Sequence, residues 1–65
     1  MIEFTVNDMT CGHCVSTITK AVKGVDAVGK VEIDLAAHRV RIDSAHEASE
    51  FREAIAEAGF TPVPA

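Results

Sequence analysis

Ile2, Phe4 and Val6 alternate with Glu3, Thr5 and Asn7, and then the apolar period changes. At Val15, Ile18, Val22 and Val25 the apolar residues fall three or four positions apart, with Ser16, Thr19 and Lys23 between them. The first spacing turns one face of a strand toward a core, and the second turns one stripe of a helix there. The period returns to two at Val31, Ile33 and Leu35, and again at Val40 and Ile42. It becomes helical once more at Ala48, Phe51, Ala54, Ile55 and Ala58, and Phe60–Val63 reads as a short last strand. None of these elements can bury its apolar side alone. The arrangement that satisfies all of them is an α+β fold, a ferredoxin-like βαββαβ sandwich. It has a four-stranded antiparallel sheet with two helices on one face.

The breaks fit this order. Asp8 to Gly12 forms a loop after the first strand, and Ala36-Ala37-His38 forms a turn between the second and third. Gly24 is predicted to end the first helix in a left-handed conformation, with Val25 as the hydrophobic residue that follows, and Gly59 to end the second. Ser44-Ala45-His46-Glu47 fits a capping box in which Ser44 caps the helix and Glu47 caps back. Pro62 and Pro64 lack ladder donors, which places the last strand at a sheet edge. A chain of 65 residues without linker or repeat is predicted to be a single domain, residues 1–65.

Charge and hydropathy exclude several roles. The net charge is -4, and Lys20, Lys23, Lys30, Arg39, Arg41 and Arg52 are scattered, so no nucleic-acid surface is expected. No run approaches the roughly 20 apolar residues of a membrane span, so no direct membrane insertion is expected. The alternating pattern begins one residue after Met1, so no leader is expected, and a chain complete as it stands is predicted to be cytoplasmic.

The chemistry is concentrated in Cys11-Gly12-His13-Cys14, where the first strand hands over to the first helix. A helix N-terminus carries partial positive charge and favours thiolate over thiol. Thiolate both binds metal and attacks disulfides, so the position alone serves a metal site and a thiol-disulfide oxidoreductase equally. The inner four residues match a disulfide isomerase site. The chain has no Trp before the pair and no proline ahead of Pro62, whereas a thioredoxin-type domain needs a larger framework with both. Structural zinc takes four ligands, and this chain offers two Cys and scattered His. Soft thiolates select Cu(I), which accepts two ligands, and Ag(I) or Hg(II) would satisfy the same geometry. A two-ligand ion has open sides, which suits transfer. Nothing resembles a general base beside a substrate, so a carrier and not an enzyme is expected.

Met9-Thr10-Cys11-Gly12-His13-Cys14 resembles the MxCxxC motif of the heavy-metal-associated domain family. Gly24-Val25, the Val31, Ile33, Leu35 alternation and Ala58-Gly59-Phe60 extend the resemblance along the whole chain. That family includes soluble copper chaperones, N-terminal domains of copper-transporting P-type ATPases and periplasmic mercury-binding proteins. The resemblance implies that Cys11 and Cys14 bind Cu(I) and that Met9 lies beneath the loop without ligating. It also implies a soluble copper chaperone that delivers to the metal-binding domain of a copper-transporting P-type ATPase by thiolate exchange. Two molecules sharing one ion would form a copper-bridged homodimer. A domain excised from such an ATPase, or a Hg(II) or Ag(I) carrier, has the same chemistry. Asp8 stands where the family usually has Gly, which places a negative charge near the site. Phe60 stands where soluble bacterial chaperones often carry Tyr and some ATPase domains carry Phe.

Each candidate also has a plainer reading. The Cys pair could be two buried structural thiols. His13 is a candidate third ligand, against a side chain turned to solvent. Met9 offers a sulfur to Cu(I), against an apolar residue at a strand-to-loop junction that joins the core. Phe60 either screens the metal loop from water or is simply a core or rim aromatic. His38 and His46 read as a turn residue and a helix-start residue, and Lys20 and Lys23 as a solvated helix face.

Overall fold

The computed structural model describes residues 2–64. Met1 and Ala65, and the expectation that rested on Met1, fall outside that range. In chain order the elements are β1 (Ile2–Val6), α1 (Gly12–Val25), β2 (Lys30–Asp34), β3 (Arg39–Asp43), α2 (Ala48–Glu57) and β4 (Pro62–Pro64). The strands form one antiparallel sheet in the order β2-β3-β1-β4. The predicted βαββαβ order therefore stands, and the proline-bearing strand is at an edge.

Register explains which face is buried. Ile2 sits opposite Ile42 and Phe4 opposite Val40, so apolar pairs line one face of the central strands. Glu3 opposite Arg41 and Thr5 opposite Arg39 line the other. Phe4, Val6, Val40 and Ile42 meet Ile18 and Val22 of α1 and Phe51 and Ile55 of α2 in one core. Both helices cover this face because their apolar stripes have no other surface to meet. On the open face the Arg41 guanidinium donates to Glu3 at 2.9 Å, an exposed pair worth about 0–1 kcal/mol.

Four boundaries differ from the sequence reading. Gly24 lies inside α1, which runs on to Val25, and its φ is not positive. The half-buried Val25 still packs on the core, so the last turn is kept. The chain leaves the helix through an extended Asp26, whose side chain accepts the Val28 N–H and so makes the turn itself. Ser44 does not cap α2. Its hydroxyl donates to the Asp26 carboxylate at 2.6 Å, and the capping box forms one turn later between Glu47 and Glu50. Leu35 falls in the β2–β3 turn, and the last strand begins at Pro62, because the ladder to β1 starts at Val6 opposite Pro62. Gly59, by contrast, adopts φ +100° just after α2, as a glycine beyond a helix end does.

Candidate metal centre

The β1–α1 connection places the two cysteines. Val6 ends the ladder deep in the core, and Met9 follows with its side chain fully buried and its N–H bonded to the Val6 carbonyl at 3.2 Å. Anchored there, the chain turns outward through exposed Thr10 to Cys11. Cys11 is the N-cap of α1, extended at φ -153° and ψ 172°, and its carbonyl accepts the Val15 N–H. Its side chain makes no cap hydrogen bond, so the thiol is not committed to the helix. Cys14, one turn on, is half-buried and packs against the core.

The two sulfurs are 3.6 Å apart and unbonded, with Cys11 exposed. The plainer reading of two buried structural thiols does not describe this pair. Metal–sulfur bonds of about 2.3 Å to sulfurs at that spacing enclose an angle of roughly 100°, and a linear ion needs them about 4.5 Å apart. The spacing as it stands suits an ion with additional ligands. The exposed position of Cys11 leaves room for the further opening of about 1 Å that linear coordination needs.

Electrostatics favour thiolate. The first turn of α1 has no acidic residue to offset its positive end. The Cys14 thiol is held below its ordinary value, first by backbone hydrogen bonding from Thr10 and then by the Cys11 side chain; desolvation opposes them. Thiolate is the ligand form, so this lowers the proton competition for a soft cation.

The remaining candidates do not join the sulfurs. His13 is exposed, and no cluster of three His, Cys, Asp or Glu side chains of metal-binding size occurs among the described residues. Met9 is a core side chain beneath the loop. Phe60 is half-buried on the same core, and its N–H donates to the Ile55 carbonyl. Lys23 donates to the Gly29 carbonyl and so closes the turn after α1, while Lys20 is exposed.

Two supports of the loop were not foreseen. The Asp8 carboxylate accepts the Thr61 N–H at 3.2 Å, tying the loop to the segment that carries Phe60. His38 has φ 55°, and its Nδ1 lies 2.9 Å from the Met9 carbonyl oxygen. An unusual residue at a loop position was the available signal for Asp8. For His38 it was a bulky residue at the end of a hairpin turn, where Gly or Asn is usual.

The sequence model described as the Heavy-metal-associated domain matches residues 3–61. Copper chaperone CopZ of Enterococcus hirae is 39% identical over 61 residues, covering 89% of this chain and 88% of that protein. Copper chaperone Atx1 of Synechocystis PCC6803, solved in a trimeric copper form, matches with a TM-score of 0.92 at 39% identity. That match covers 95% of this chain and 98% of the other. A crystal structure described as a gold binding protein matches over 100% of both chains, with a TM-score of 0.95 at 34% identity.

Proposed function

The chain belongs to the heavy-metal-associated domain family, and from that premise we propose that it is a cytoplasmic Cu(I) chaperone, a carrier and not an enzyme. Cys11 and Cys14 hold the ion, and the whole chain acts as a single domain. The observation that carries this reading is the pair of free sulfurs 3.6 Å apart at the helix mouth, one of them exposed. The copper-chaperone names of its relatives support the choice of metal.

Cu(I) is the cargo. Each thiol releases its proton as the sulfur–metal bond forms, and the positive end of α1 stabilises the charge that remains. With two protein ligands the ion keeps open sides. A thiolate of the acceptor adds there first, Cys11 on the exposed rim is the ligand that leaves first, and Cys14 follows. The ion is never free, so no step carries the cost of an uncoordinated cation. The acceptor is the metal-binding domain of a copper-transporting P-type ATPase, whose own cysteine pair supplies the incoming thiolates. A second copy of this chain can occupy the same open sides, giving a copper-bridged homodimer.

Anaerobic Cu(I) titration against a competing chelator, with Zn(II), Ag(I) and Hg(II) run beside it, tests the reading. About one Cu(I) per chain is expected, with tight binding lost in Cys11→Ser and in Cys14→Ser. Tight binding retained in both single variants would sink it. Disulfide reduction well above a small-dithiol control would instead favour the oxidoreductase.

A further inference from the structure

We propose that His38 is a positioning residue for the loop that carries Cys11 and Cys14, acting through the Met9–Thr10 peptide. The proposal rests on the metal-carrier reading for its purpose, and on the following geometry for its substance.

His38 occupies a conformation that a non-glycine residue takes at a cost of about 1–2 kcal/mol, at φ 55° in the turn before β3. Glycine would fit there without strain, and asparagine with little. What the imidazole adds is reach. Its Nδ1 lies 2.9 Å from the Met9 carbonyl oxygen, 29 positions away in the chain. A carbonyl only accepts, so Nδ1 carries the proton and donates. The main chain of the same residue accepts the Val6 N–H at 2.7 Å. His38 thus grips the chain on both sides of Asn7 and Asp8, at the end of β1 by its backbone and at Met9 by its ring.

The Met9 carbonyl and the Thr10 N–H belong to one planar trans peptide and point in opposite directions. Fixing the oxygen toward the His38 ring therefore fixes the N–H toward the other side. On that side lies the Cys14 thiol, which backbone hydrogen bonding from Thr10 helps to hold below its ordinary value. The ring thus acts on one end of the peptide, at the Met9 oxygen, while the other end, the Thr10 N–H, faces the thiol side. Donation at one end of a peptide polarises it and strengthens donation at the other. The buried Met9 side chain prevents the peptide from shifting bodily, so the ring controls its rotation.

Two variants separate positioning from turn-making. His38→Gly keeps the turn conformation and deletes the donor. His38→Asn keeps a donor, Nδ2, at the place of Nδ1 and tolerates the same backbone. In the metal-free, reduced protein, amide exchange at Thr10 should speed by about 5- to 10-fold in His38→Gly, the loss of one net hydrogen bond. It should return close to the wild-type rate in His38→Asn, with urea midpoints similar in all three. Nitrogen NMR of the wild-type ring should show the Nδ1–H form. Cu(I) affinity should fall about fivefold in His38→Gly and recover in His38→Asn. Unchanged Thr10 exchange in His38→Gly, or a wild-type ring protonated only at Nε2, overturns the proposal. The exchange and ring measurements use no metal, so they stand or fall separately from the copper reading.

Discussion

Asp8 and Thr61 are 53 positions apart, yet the carboxylate of one accepts the backbone N–H of the other at 3.2 Å. This bond joins the loop that leads to Cys11 to the approach of β4, across the end of the sheet where β1 and β4 part. It gives a structural reason for an acidic side chain at a loop position where the family usually has glycine.

Asp8→Gly should therefore release both segments together. Amide exchange at Thr61 is expected to speed by about fivefold, the effect of losing one net hydrogen bond, while Asp8→Asn retains the acceptor and most of the protection. Equal Thr61 exchange in Asp8→Gly and wild type would show that the bond does not hold the loop in solution.

Met9 and His13 are separated by burial. Met9→Leu keeps the core volume and should cost less than about 1.5 kcal/mol, whereas Met9→Ala leaves a cavity and should cost about 2–5 kcal/mol. Urea unfolding of the metal-free protein measures both. Cu(I) affinity should be unchanged in Met9→Leu and in His13→Ala, and the X-ray absorption spectrum of the loaded protein should be the same. A changed sulfur or nitrogen shell in either variant would make that residue a ligand.

Gly24 and Gly59 should respond to alanine with opposite signs. Gly24 is helical and exposed with open space around it, so Gly24→Ala should stabilise by about 0.5–1 kcal/mol. Gly59 sits at φ +100°, where a Cβ is strained, so Gly59→Ala should destabilise by about 1–2 kcal/mol. Thermal unfolding that moves in the same direction for both would contradict the backbone assignment.

Asp26 supplies a pH dependence. Its carboxyl is held below its ordinary value of 3.8, first by the Ser44 hydroxyl, with the Val28 and Gly29 backbone and the His46 charge adding to the effect. A depressed acid stabilises the fold in its charged form. The contribution is complete above the ordinary value and is lost as pH falls through the lower, folded one. Ser44→Ala should reduce stability at neutral pH, and the gap to wild type should close as pH drops below 3.8. A gap that stays constant down to the lowest pH would rule this out.

Element type and order were legible because period-2 and period-3.6 apolar spacing each bury a face, and both are local properties. The Cys11–Cys14 pairing was legible for the same reason, since three positions at a helix start bring two side chains together. What could not be read locally was which of several adequate partners a side chain takes. Ser44 has the chemistry of an N-cap, but Asp26 lies 18 positions away and competes for its hydroxyl. Gly24 can end a helix, but Val25 gains more from staying in the helix and packing on the core. Asp8 and His38 look like loop and turn residues until the sheet brings Thr61 and Met9 to them.

The prolines of β4 have a consequence for how two such molecules can meet. A strand of three residues with proline at both ends has one backbone N–H, at Val63. It therefore gives no row of donors onto which a neighbour's strand could add. The opposite border, β2, is lined with exposed Lys30, Glu32 and Asp34, charges that discourage a flat partner. Crowded copies are thus kept from zipping sheet to sheet. The end of the molecule that carries Cys11 and Cys14 lies on neither of these borders, so sheet pairing and the thiols do not compete for the same surface.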